Sequence, residues 1–440
     1  MSSLRPYVPS PAAPWDRRRA GHLLRRAAFG ATEAEVRRAL ADGPEATVAR
    51  LIGGEPQPAA YLELDALFDS LRATGSVENA RGWWVLRLVR SAHPLAAKMT
   101  VFWHDHFATS VQKVDNAGLM LKQLRVFESH ALGGFGPLLE AVSKDPAMIL
   151  WLDTHLSRKG APNENYAREL FELFSLGVGH YTERDIQEAA RAFTGWRVRD
   201  GSADFNPGIF DDGEKTVFGK SGRFGTDDVV RLVLEHEACA PFLARKLLEE
   251  FVHPDPSAEL VAALGKVLRE ADYSIAEALR ALLRSEAFFS DEAYRSRIKS
   301  PVEYAVGAAR SLGAKLHGPQ AGAALAKMGQ KLFEPPSVKG WDGGRNWINS
   351  ATMLARINAA AVLTRGDSAG GAIDVAGLLA EGAIINATGA CDFAFNLLLD
   401  GDPGEALARA VREQVAGQDA ASALRTSLYA ALVSPVYQLA

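Results

Sequence analysis

Two cysteines in 440 residues, Cys239 and Cys391, are too few and too far apart for a disulfide framework or a thiolate zinc site. Both read as small buried hydrophobes. No window reaches the roughly 18 apolar residues of a membrane span. Charge of one sign is also missing: 49 basic against 53 acidic residues leave a formal net charge of -4, too balanced to suit nucleic acid or an anionic membrane surface. The densest basic run, Arg17 to Arg19 with Arg25 and Arg26, is short. The opening segment Met1 to Ser10 has no charged stretch followed by an apolar run, so a cytoplasmic location is the expectation. Gly-x-Ser-x-Gly, His-Glu-x-x-His, the Walker spacing and the dinucleotide fingerprint are all absent.

What is present is helical periodicity. Hydrophobic residues make up 48% and charged residues 23% of the chain, and strand-like alternation is scarce. The expected fold is mainly α: a large multi-helix body of packed helix pairs with two long irregular loops. Residues 1–15 hold four prolines and are expected to be an extended arm. Residues 16–440 are expected to form one helical domain with loop insertions near 196–226 and 333–349. Gly30 should stop a first helix begun at Arg17, and Thr32 with Glu35 reads as a capping box for a second, running to Leu40. In the first loop the apolar pairs around Ile209 and Val217 allow one small hairpin. Residues 366–390 are Gly/Ala-rich and weakly patterned.

Candidate chemistry centres on the segment Asn163 to Phe174. At about 100° per residue, Glu164, Asn165, Arg168, Glu169 and Glu172 share an arc of about 140°, opposite an apolar face. A solvated face laced by Glu164–Arg168 and Arg168–Glu172 pairs explains this pattern. So does a carboxylate cluster facing a cleft, with Glu169 and Glu172 sharing a proton and Arg168 holding an anionic group. His104 and His106 lie about 160° apart on a helix, so they cannot chelate one metal together; His106 falls on the apolar side, where a core role competes with that of a base or ligand. Glu250 and His253 have the i,i+3 spacing of bundle metal sites, a weak signal alone. Thr182 and Asp185 suit a helix start, whereas His180 and Tyr181 lie on the loop before it. In the loop Phe333 to Trp347, Lys339, Trp341 and Arg345 stand among glycines that permit close approach to a ligand; a rigid turn with tryptophan as a lid is the bland alternative.

Several long stretches carry a family resemblance: His22-Leu-Leu-Arg-Arg-Ala-Ala-Phe-Gly30, Pro162 to Gly177, His180-Tyr-Thr-Glu183, Ala189 to Trp196, Ile298 to Tyr304, Met328 to Phe333, Pro335 to Trp341 and Ser434-Pro-Val-Tyr-Gln438. Together they resemble the bacterial domain of unknown function 1800 family over about residues 16–440. The resemblance implies a helical protein. Many members look secreted, and they are often encoded beside a second family, domain of unknown function 1501, which it implies as a partner. It implies no activity residue by residue. Where relatives tend to read His-Asp-x-Gly, this chain reads Asp211-Asp-Gly213, which removes a histidine-based role there.

The leading expectation is a hydrolase-like enzyme on a carbohydrate or other polyhydroxylated substrate. Glu169 and Glu172 would be the acid/base pair, with Asp185, Asp211 or Asp212 as a further carboxylate, because residues one turn apart are too close for most two-carboxylate glycosidases. Asn163, Asn165, Arg168, His180, Tyr181, Trp196, Asp211, Asp212, Trp341 and Arg345 would line the cleft. One alternative is a metal-dependent enzyme joining His106 to Glu169 and Glu172. The other is a non-catalytic scaffold or binding module. No cofactor is assigned.

Overall fold

A computed structural model describes residues 3–365 and 371–440. It is mainly helical, with only short antiparallel strand pairs among the described residues. No described helix is long and apolar enough to cross a membrane. Of the Gly/Ala-rich stretch 366–390, residues 366–370 lie outside the described residues. Beyond them Gly371–Ala372 pairs with Lys315–Leu316, and helices Val375–Glu381 and Ala387–Leu399 follow.

The N-terminal arm carries no helix before Arg17 and is bonded along its length to the turn after helix Ile275–Leu283. Tyr7 donates its N–H to Arg284 at 2.7 Å, Glu286 to Arg5 at 2.8 Å and Ala287 to Ser3 at 2.9 Å. Asp16 then caps Arg17–Ala28, which ends in left-handed Phe29. The Thr32–Glu35 capping box forms as expected. Its helix outruns the expected end at Leu40, resuming after a break at Gly43 (φ 80°) through Pro44 to Gly53, because proline is tolerated in a first turn.

Three apolar clusters hold the body together. The first joins Arg17–Ala28 and Pro94–His106 to the helices between Phe135 and Leu283. The second packs Pro301–Ser311 with the C-terminal helices. The third lies between Val77–Arg90, Ala117–Ser129 and the Leu332–Phe333 turn. Helix Pro94–His106 packs against the first and the third. Near its start, buried Lys98 meets Glu303 at 2.5 Å and Glu250 at 3.4 Å, and Arg297 bonds the same two carboxylates. Burial alone would raise the Glu303 carboxyl, but Lys98 and Arg297 carry it well below the usual carboxylate range.

The first and last of the motif stretches meet at this junction. Arg26, fully buried, donates to the carbonyls of Val252, Ala293 and Ala440. Lys299 N–H reaches Gln438 at 2.8 Å, and Gln438 Oε1 accepts from Arg356 at 3.0 Å. These residues fasten the two chain ends to one another.

Where one hairpin was expected between Trp196 and Gly225, two form: Trp196–Arg199 with Ser202–Phe205, and Lys215–Val217 with Lys220–Gly222. Val217 lies in the second. Ile209 instead ends a 3-10 turn begun at Pro207, since a proline there offers no N–H to a strand ladder.

Candidate functional site

The carboxylate segment starts as an α-helix at Asn165–Glu169 and widens into a π-helix over Leu170–Ser175. Ser175 Oγ donates back to Leu170 O, and the N–H groups of Leu176 and Gly177 both reach Phe171 O. Wide turns of this kind are rare and recur at functional sites. Each residue advances by less than the 100° of an α-helix, so Glu172 stands further round from Glu169 than the helical wheel placed it. Tyr181 reaches across and donates its hydroxyl to Glu172 Oε2 at 3.0 Å.

Glu169 is half-buried and has no hydrogen-bond or ion-pair partner among the described residues. Burial, then repulsion from Glu172, pushes its carboxyl above the ordinary value, against the attraction of Arg168 and Lys339. Lys339 belongs to the glycine-rich loop, so one cation of that loop lies within electrostatic range of Glu169. Val338 of the loop and Leu173 of the π-helix pack against the same core.

The loop is fastened by the end of helix Pro94–His106. His104 Nε2 accepts the N–H of Phe333 at 3.1 Å; burial pushes this imidazole down to about 3, so it is neutral and free to accept. Asp105 Oδ1 accepts the N–H of Trp341 at 2.8 Å. Gly340, at φ 81°, lies so close that an added Cβ would sit 2.1 Å from Asp105 Oδ1, so only glycine fits. Burial pushes the Asp105 carboxyl up to about 7; the Trp341 N–H opposes this, and Glu250 adds to it. Asp105 is the residue that sequence reasoning passed over between its two histidines. The available signal was an acidic side chain in a last helical turn, where the helix dipole disfavours it.

Other expected site residues are held elsewhere. His106 is packed among Phe102, Phe107, Phe174 and Phe242 and bonds Phe174 O at 3.0 Å. Burial and Lys246 push it down to about 3, so it is a neutral core histidine and not the base considered above. Among the described residues no three His, Cys, Asp or Glu side chains are grouped to hold a metal, so His106, Glu169 and Glu172 do not form such a set. Glu250 is bonded to Arg297, and His253 to Asp255. Asp185 completes a capping box with Thr182 and accepts the Phe218 N–H at 2.8 Å. Asp211 is forked by Arg191 at 2.8 and 3.2 Å, and exposed Asp212 pairs with Lys159. None of these three aspartates is placed as the further carboxylate.

Arg168 is held by Glu183 at 2.8 and 2.9 Å and by Glu164 at 3.2 Å. Asn163 Oδ1 accepts the Asn165 N–H at 2.9 Å, and Asn165 reaches Asp153; both shape the helix start. Trp196 packs at a tilt against Phe205, ring centroids 5.2 Å apart, and donates Nε1–H to Thr226 at 2.9 Å. His180 is exposed and lines an open cleft of about 560 Å³ with Phe242 and Arg245. Trp341 is half-buried with its ring 5.8 Å from His104, and exposed Arg345 makes no ion pair among the described residues. Of these residues, Tyr181 is bonded to Glu172, and Glu169 lies within electrostatic range of Glu172, Arg168 and Lys339; Trp341 is held separately by Asp105.

No match was found among curated proteins or among solved structures. The family described as "Protein of unknown function (DUF1800)" matches residues 22–439, nearly the whole chain, and the chain belongs to that family.

Proposed function

We propose that this chain is a hydrolase-like enzyme acting on a carbohydrate or other polyhydroxylated substrate, with Glu169 as proton donor. The observation that carries this reading is the raised, half-buried Glu169 carboxyl beside Glu172 and opposite the loop lysine. A carboxyl protonated further toward neutral pH can give its proton to a leaving oxygen. Glu172, bonded to Tyr181, accepts the proton of the attacking water. Lys339 and Trp341 bind hydroxyl groups and a sugar face. With Asp185 and Asp211 engaged in a cap and an ion pair, the two glutamates act without a third carboxylate.

The test is turnover of a panel of glycosides and polyol esters by the full-length chain. Glu169→Gln should lower the rate about a hundredfold or more with unchanged thermal unfolding. Equal turnover by the variant would overturn the assignment.

A second reading is a binding module working with a protein such as a member of the domain of unknown function 1501 family. It is favoured by Arg168, Asp185 and Asp211 all being internally bonded. Under that reading the panel gives no turnover, and co-purification with the partner depends on the loop Phe333 to Trp347.

A further inference from the structure

Away from the glutamates, a cleft of about 460 Å³ opens between helices Ala59–Asp65, Val77–Arg90, Pro94–His106 and Ala117–Ser129. That volume falls in the ~300–1,000 Å³ range of small-molecule sites, and a gap between packed helices is a usual place for one. None of the residues weighed above for catalysis lines it. One wall is apolar, built from Leu62, Leu88, Ala96 and Ala97.

The other wall is a closed ring of four charges. Asp65 Oδ1 accepts from Arg87 Nη2 at 3.2 Å and from Arg125 Nη2. Glu128 Oε1 lies 2.8 Å from Arg87 Nη1 as an ion pair, and Oε2 accepts from Arg125 Nη1 at 2.7 Å. The Tyr61 hydroxyl closes against Arg87. The Arg87 side chain is only 4% exposed and lies over the Tyr61 and Trp83 rings, so the members of the charged ring open to the cleft are Asp65, Glu128 and Arg125.

The charge balance narrows the ligand. Two guanidiniums and two carboxylates already neutralise each other, so an added anion would face Asp65 and Glu128, and an added cation would face Arg87 and Arg125. What the ring still offers is residual N–H groups and residual carboxylate lone pairs at close spacing. Hydroxyl groups use both without adding charge, since each donates and accepts. The apolar wall suits the C–H face of a ring. We propose that this cleft binds a neutral polyhydroxylated molecule of mono- or disaccharide size. The site is separate from Glu169 and does not depend on the reaction proposed there.

The test is calorimetric titration of the full-length chain with glucose, maltose and trehalose, and with glycine and acetate as charged comparisons. A neutral sugar should bind. Ala97→Phe, which fills the apolar wall, should weaken it about tenfold or more, and Glu169→Gln should leave it unchanged. If Ala97→Phe does not fold, Ser129→Trp at the exposed rim serves the same purpose. The proposal is overturned by no sugar binding up to about 10 mM, by sugar binding that the filled cleft does not weaken, or by tighter binding of glycine or acetate. Loss of binding in Glu169→Gln would place the sugar at the glutamates and likewise overturn it.

Discussion

The two ends of helix Pro94–His106 treat buried charge in opposite ways. At the start, Lys98, Glu250, Arg297 and Glu303 satisfy one another, and Glu303 stays ionised although fully enclosed. At the end, Asp105 has one backbone N–H and, among the described residues, no ion pair, and its carboxyl rises to about 7; Glu169, also without an ion pair among them, is raised as well. Complete pairing makes a fastening. Incomplete pairing leaves a proton that can move near neutral pH.

Breaking the fastened end should have the largest effect. Lys98→Met leaves Glu303 buried with Arg297 alone and should cost about 3–5 kcal/mol in denaturant unfolding. Adding Glu303→Gln should recover part of that loss; no recovery would mean that packing, and not charge pairing, sets the cost.

At the loop end, Gly340→Ala must relieve a Cβ 2.1 Å from Asp105 Oδ1 at a φ of 81°. The expected cost is about 2 kcal/mol, with faster amide exchange confined to the Phe333–Trp347 loop. Unchanged exchange there would show that Asp105 does not hold the turn.

Asp105→Asn sharpens the contrast through pH. The folded protein holds the Asp105 proton up to about pH 7, whereas the carboxyl's ordinary value is 3.8, so stability falls as pH rises from about 4 to 7. The amide can still accept from Trp341 but does not ionise. The variant should be more stable than the parent by about 4 kcal/mol at pH 8 and about equal to it at pH 4, by thermal or denaturant unfolding. A parent curve flat across that window would contradict the assignment.

Arg168→Ala should matter least. Its pairs with Glu164 and Glu183 are open to solvent, so a loss of about 0.5 kcal/mol is expected. A loss several times larger would mean that the charged face of the helix is built like the Lys98 junction.

Much of the fold could be read from local signals. Capping boxes at Thr32 and Thr182, and apolar spacing in segments such as Phe135–Ser143, depend on neighbours within a turn or two. Breaks within a longer pattern are harder to see: neither the interruption between Ala59–Asp65 and Phe68–Thr74 nor the π-turn at Leu170–Ser175 leaves a mark in the apolar period. The site was less legible because its partners are distant. Trp341 lies 236 positions from Asp105, and the groups that engage Asp185 and Asp211 are a hairpin N–H and a guanidinium brought by the fold. A helical wheel shows which side chains share a face. It does not show which of them will be paired.

The most direct test is the pH titration of the Glu169 carboxyl, followed by side-chain carbon NMR with Glu169→Gln to assign the signal and Lys339→Met to probe the loop. The midpoint should lie above the ordinary glutamate value of 4.5 and rise further when the lysine is removed. A midpoint at or below 4.5, unmoved by Lys339→Met, would contradict the picture of an under-paired acid facing the glycine-rich loop.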